Sequence, residues 1–238
     1  MSTQNNTLGP LQQDAAFELA YRIRMPQPAR PRGLVLLLHG VGGSEMSMAT
    51  LAAGIDPELL VIAAQAPLIL GPGQFGWFQV AFGAEGPRID ADQAEQSRQR
   101  LIRFVAQLQF RYGLEAQHTL IAGFSQGGIM SASAALSAPS QCAGFAVLSG
   151  RILPEIEPHL APASALAQLQ AFIGHGEYDS KLAVSWAHRA TVWLSKLGVN
   201  RQLKLYPIDH SISEAMQADF YAWLDGVIVA GSASALRH

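Results

Sequence analysis

The chain has 238 residues, with 16 Lys+Arg, 18 Asp+Glu and a formal net charge of −2. That balance, without any single-sign run, argues against a binder of phosphate backbones, so no nucleic-acid partner is expected. Charged residues are 14% and hydrophobic residues 49%, enough to bury a large core, and the single Cys142 excludes an internal disulfide or a multi-cysteine metal site. Residues 1–14 are polar, lack the basic and apolar regions of a signal peptide, and read as a flexible leader. Residues 15–238 are expected to form one domain.

Glu18–Arg24 alternates weakly and predicts a strand on a sheet edge. Leu34–Leu38, Leu59–Ala64, Thr119–Phe124, Gly144–Ser149 and Leu169–Gly174 are short apolar runs, and Arg201–Tyr206 alternates. Such runs, bounded by glycine, are the pattern of strands buried on both faces. Helical spacing falls between them. Asp90–Tyr112 places Leu101, Phe104, Val105 and Leu108 on one face, with acids at its start and arginines towards its end, as the helix dipole favours. Gly127–Ala138, Ala183–Leu197 and Glu214–Val229 are the other predicted helices. Strands alternating with helices predict an α/β fold with a mostly parallel central sheet and helices on both faces. The longest apolar runs are far shorter than the roughly 18 residues of a spanning helix. The protein is expected not to span a membrane and to be cytoplasmic.

Gly123-Phe124-Ser125-Gln126-Gly127 is a G-x-S-x-G motif between a predicted strand and a predicted helix. In that context the serine stands on a tight turn with its Oγ exposed, and the first amides of the helix are free to stabilise an oxyanion. An acid and then a histidine should follow. Asp179 leaves the strand ending at Gly174, and His210 leaves the last strand, so both can reach the edge where Ser125 stands. Glu177 and Asp209 are rival acids, and His175 is a rival base. His39-Gly40-Val41-Gly42-Gly43 follows the first buried strand and is similar to lipase-type oxyanion loops, so the amide of Val41 can join that of Gln126. The segment from Pro67 to Pro87 is rich in glycine and proline yet carries Phe75, Trp77, Phe78 and Phe82. It is expected to be an irregular loop whose Phe75 and Trp77 wall the acyl site, with the surroundings of Met46 and Leu182 as the alternative. No metal-binding, phosphate-loop or dinucleotide motif is present, so neither metal nor cofactor is implied.

Together these residues resemble the phospholipase/carboxylesterase family of α/β-hydrolases, which includes bacterial carboxylesterases and acyl-protein thioesterases. The resemblance runs from about Arg32 to Leu224. It is carried by Leu38-His39-Gly40-Val41-Gly42, Trp77-Phe78, Gly123-Phe124-Ser125-Gln126-Gly127-Gly128, Gly176-Glu177-Tyr178-Asp179 and His210-Ser211-Ile212-Ser213. It implies an α/β-hydrolase fold and a triad of Ser125, Asp179 and His210, with Val41 and Gln126 as the oxyanion hole. The implied activity is hydrolysis of a small or lipid-like acyl ester through an acyl-enzyme. A thioester or lysophospholipid is the alternative substrate, and a silent binding protein the alternative of another class. The resemblance leaves a homodimer open. Three stretches depart from the family's usual pattern: Gly43-Ser44-Glu45, Trp77-Phe78-Gln79 and Ser180-Lys181-Leu182. All three belong to loops expected to surround the acyl group.

Overall fold

Eight strands form one twisted layer in a computed structural model that describes residues 7–83 and 86–235. They are β1 (Thr7–Leu8), β2 (Tyr21–Met25), β3 (Leu34–Leu38), β4 (Leu60–Ala64), β5 (Thr119–Phe124), β6 (Gly144–Leu148), β7 (Gln170–Gly176) and β8 (Asn200–Tyr206). Their spatial order is β1-β2-β4-β3-β5-β6-β7-β8. From β4 to β8 every neighbouring pair is parallel, and β1 and β2 add an antiparallel edge.

The all-apolar strands are explained by two cores. Leu34, Leu36 and Leu38 enter one cluster, whereas Val35 and Leu37 enter the other. Successive side chains of a strand point to opposite faces, so a strand covered on both sides needs no polar positions. The first cluster is closed by α1 (Ala91–Tyr112), α2 (Gln126–Ser137) and α3 (Ser185–Lys196), through residues such as Phe104, Met130 and Leu194. The second is closed by α4 (Glu214–Ala235), through Met216, Phe220 and Leu224. The expected helices on both faces are therefore present. The Asp90 carboxylate caps α1 by accepting from the Gln93 amide at 3.0 Å, and Gly113 ends it in the left-handed region at φ 63°.

The leader differs from expectation. Thr7 and Leu8 pair with Met25 and Arg24, and Leu8 is buried against the second core. From Thr7 onward this segment is therefore held by sheet pairing rather than loose; residues 1–6 lie outside the described residues. Two residues are too few for a periodic pattern to reveal. Pairing with β1 also means that β2 is not the outermost strand.

Arg24, only 1% exposed, secures this edge. Its guanidinium donates to the carbonyls of Ala52 at 3.3 Å, Asp56 at 2.9 Å, Leu59 at 2.8 Å and also Ile55. Arg24→Met keeps the aliphatic stem but strips four carbonyls of their donor. The expected loss is about 3 kcal/mol of stability, read as a lower denaturant midpoint with an unchanged slope. A midpoint equal to that of the unaltered protein would show these carbonyls to be satisfied without Arg24.

No helix among the described residues is long and apolar enough to cross a membrane.

Candidate active site

β5 ends at Phe124 and α2 starts at Gln126, leaving a single residue for the bend. Ser125 takes it with φ 52° and ψ −116°, a positive φ that a non-glycine residue adopts only under constraint. The flanking glycines are sterically required. A Cβ on Gly123 would lie 2.2 Å from the Gly127 carbonyl carbon, and one on Gly127 would lie 2.1 Å from the Leu38 carbonyl oxygen. The Ser125 amide donates to the Leu148 carbonyl at 2.8 Å, tying the bend to β6.

The predicted partners meet this serine. His210 Nε2 is 2.9 Å from Ser125 Oγ, and His210 Nδ1 is 2.7 Å from Asp179 Oδ2. The Asp179 side chain is fully buried, and its other oxygen accepts from the amides of Lys181 at 2.9 Å and Leu182 at 2.7 Å. The Phe124 ring lies 4.9 Å from the His210 ring, centroid to centroid.

The rivals sit elsewhere. The Asp209 carboxylate accepts from the Ser180 amide and hydroxyl and from the His210 amide, never from the imidazole ring. Those donors hold its pKa below the ordinary aspartate value. His175 is fully buried, with Nε2 2.8 Å from the Leu182 carbonyl and 3.4 Å from Asp179 Oδ2. Burial pushes its pKa down and keeps the ring neutral. Neither of its contacts is to Ser125. Glu177 makes none of these contacts.

The loop over residues 40–43 is held from several sides. Gly42 has φ 76°, and its amide donates to the Phe75 carbonyl at 2.8 Å while the Phe75 amide donates to the Gly43 carbonyl at 2.9 Å. His39 Nδ1 is 2.7 Å from the Gly40 carbonyl and its Nε2 accepts from the Ala66 amide at 3.0 Å. Burial pushes the His39 pKa down, so the ring is neutral and can hold this tautomer. Glu45 is buried behind the loop, bonded by Arg22 at 2.8 Å and Gln65 at 2.9 Å. Burial opposes its charge, yet those two donors outweigh burial and keep its pKa below the ordinary value. Among the described residues no acceptor takes the amide of Val41 or of Gln126.

Phe75 and Trp77 do not line the cavity beside Ser125. A cavity of about 320 Å³ opens beside Ser125, and it is lined by Gly40, Val41, Phe78, Val80, Ile89, Phe124, Gln126, Ile129, Arg151, Lys181, Leu182 and His210. Trp77 is fully buried, and its indole N–H donates to the His39 carbonyl at 2.9 Å. Its amide donates to the Gln126 side-chain oxygen at 2.7 Å, and the Gln126 side-chain nitrogen donates to the Phe78 carbonyl at 2.7 Å. The expected irregular loop is instead two hairpins, Leu68–Gly71 with Gln74–Gly76 and Val80–Gly83 with Gly86–Ile89. The first clamps the loop over residues 40–43 through the Phe75 backbone, and the second carries Val80 and Ile89 to the cavity. The Phe82 side chain and residues 84–85 lie outside the described residues. Of the alternative pair, Leu182 lines the cavity and Met46 does not.

Trp77→Ala should accordingly lower kcat/KM for short and long acyl esters by a similar factor. It should also cost about 3–5 kcal/mol of stability, as large-to-small core changes do. A loss confined to long acyl chains, in a substrate series on the purified variant, would return Trp77 to the acyl wall.

Sequence reasoning passed over Arg151 and Ile129. Ile129 had a signal, standing one helical turn after Ser125 on α2. Arg151 had one too, because it comes three residues after β6, the sheet neighbour of β5.

The sequence profile described as Phospholipase/Carboxylesterase matches residues 23–228. The chain belongs to that family. Acyl-protein thioesterase 1 of Debaryomyces hansenii is 25% identical over 230 residues, covering 89% of this chain and 98% of its own. Acyl-protein thioesterase 1 of Neurospora crassa is 26% identical over 200 residues, covering 77% and 81%. The crystal structure of a carboxylesterase from Mesorhizobium loti superposes with a TM-score of 0.78 at 24% identity, covering 93% of this chain and 99% of that one. The fold is thus the α/β-hydrolase fold, and membership in the phospholipase/carboxylesterase family makes the chain a serine hydrolase of carboxylic esters.

Proposed function

We propose that Ser125 Oγ attacks the acyl carbon of a carboxylic ester while His210 Nε2 takes the hydroxyl proton. His210 then gives that proton to the leaving alcohol, and water activated by the same imidazole releases the acid from the acyl-enzyme. Asp179 fixes the ring with its proton on Nδ1 and stabilises the cation that forms. The amides of Val41 and Gln126 receive the oxyanion, a contribution of about 2.7–4 kcal/mol per donor in comparable sites. The observation that carries this reading is the continuous hydrogen-bonded line from Ser125 through His210 to Asp179, starting on a strained bend. A silent binding protein would not require all three groups in register.

The cavity volume stands at the low end of the roughly 300–1,000 Å³ of small-molecule sites, which supports a short acyl group. A thioester is the second reading, favoured by the relatives named acyl-protein thioesterase 1. A panel of short and long acyl esters, acyl thioesters and lysophospholipids, compared by kcat/KM, tests both. Highest values on short acyl esters uphold the first reading, and highest values on thioesters replace it with the second. One domain over residues 15–238, a cytoplasmic location and a homodimer complete the proposal. The single, free Cys142, which excludes an internal disulfide, supports the location. The family resemblance supports the dimer, which light scattering of the purified chain tests.

A further inference from the structure

An arginine with no partner for its donors lines the same cavity as the reacting serine. Arg151 is 7% exposed, and no acceptor among the described residues takes a hydrogen bond from its guanidinium. Its packing contact is the Trp186 ring, 4.7 Å from the guanidinium carbon to the centroid. Arg24, 1% exposed, shows the usual arrangement for a buried arginine, with four carbonyls around its head. No guanidinium nitrogen of Arg151 is sealed from solvent, so its unpaired donors stay open to a ligand's acceptor, and the guanidinium keeps its charge. Burial works against the Arg151 charge, and the exposed Glu155 offsets only part of this.

The position is fixed by the backbone. A Cβ on Gly150 would stand 2.9 Å from the Ser125 carbonyl oxygen, so Arg151 leaves the sheet directly beside the bend. Lys181 lines the same cavity, and no Asp or Glu does. With Glu155 outside the lining, the cavity wall itself carries an excess of positive charge on a chain whose net charge is −2. A planar guanidinium fork matches a carboxylate, which can accept two parallel hydrogen bonds.

We propose that Arg151 recognises a second, ionised carboxylate on the substrate, so that the site takes half-esters or half-thioesters of small dicarboxylic acids, or acyl esters of carboxylate-bearing alcohols. The inference rests on the acyl-enzyme reading and adds a substrate class to it. The reacting bonds are those already given: Ser125 Oγ bonds the acyl carbon, the alcohol (or, from a half-thioester, the thiol) leaves with the His210 proton, and water frees the acid. The second carboxylate takes no part in bond exchange and stays ionised against Arg151.

The test uses two matched pairs and reads released acid. Monoethyl succinate is compared with its isostere carrying isopropyl in place of the carboxylate. The acetate ester of gamma-hydroxybutyrate is compared with the corresponding isostere. In the unaltered protein one pair should favour the anion, and that pair shows on which side of the ester the carboxylate sits. Arg151→Met should lower the anion-to-isostere ratio of kcat/KM about 10- to 100-fold, the value of a lost charge-assisted hydrogen bond. Arg151→Lys should keep part of the preference. Free glutarate should inhibit the unaltered protein at least about tenfold more strongly than pentanoate, a readout that needs no variant. Ratios unaltered by Arg151→Met in both pairs, or equal inhibition by the two acids, would make Arg151 a structural cation stacked on Trp186. Failure of the acyl-enzyme reading would look different, because neither isostere would then be turned over.

Discussion

Ser125→Ala should remove about 10⁶-fold of the ester turnover, the scale seen when the nucleophile of a serine hydrolase is deleted. The hydroxyl makes one side-chain hydrogen bond, to His210 Nε2 at 2.9 Å, so its loss strands no buried donor. The backbone strain at φ 52° is the same for alanine as for serine, and Gly123 and Gly127 still provide the space for the bend. The variant should therefore melt close to the unaltered protein while losing turnover. Circular dichroism and kcat/KM on one preparation check both halves. Substantial residual turnover in the folded variant would move the nucleophile elsewhere.

Asp179→Asn should cost about 10⁴-fold in kcat, and the geometry says why. Oδ1 accepts from the amides of Lys181 and Leu182, so the asparagine carbonyl must take that place. Its NH₂ then faces His210 Nδ1, where Oδ2 now lies at 2.7 Å. Nδ1 becomes the acceptor, the proton moves to Nε2, and the nitrogen facing Ser125 can no longer take the hydroxyl proton. Asp209→Asn touches only the Ser180 and His210 backbones and the Ser180 hydroxyl. Its cost should stay within about tenfold, the value of one such hydrogen bond. Side-by-side kcat measurements decide, and the opposite ranking would make Asp209 the acid.

The parts legible in the sequence are those written in local pattern. Leu34–Leu38 reads as a strand covered on both faces because five apolar residues in a row can serve two cores only at period two. The elbow is legible because only glycine at positions 123 and 127 leaves room for the bend. Asp179 and His210 are legible because each stands in the loop that leaves a strand ending at the same edge. What stayed hidden depends on partners distant in the chain. Trp77 looked like a wall because aromatic rings in a glycine-rich stretch suggest a pocket. Its indole instead bonds the carbonyl of His39, 38 positions earlier. Thr7 and Leu8 gain strand character only from Met25 and Arg24. Arg151 is one charged residue after a strand, and its lack of an acceptor becomes visible only when its neighbours in space are known.

Stoichiometric labelling with a fluorophosphonate, followed by intact mass and peptide mapping, tests the proposed nucleophile most directly. One phosphonyl group per chain should appear on the peptide carrying Ser125, with ester turnover falling in proportion and no label on Ser125→Ala. A label on another residue, or turnover that survives complete labelling, would contradict the assignment of Ser125 as the nucleophile.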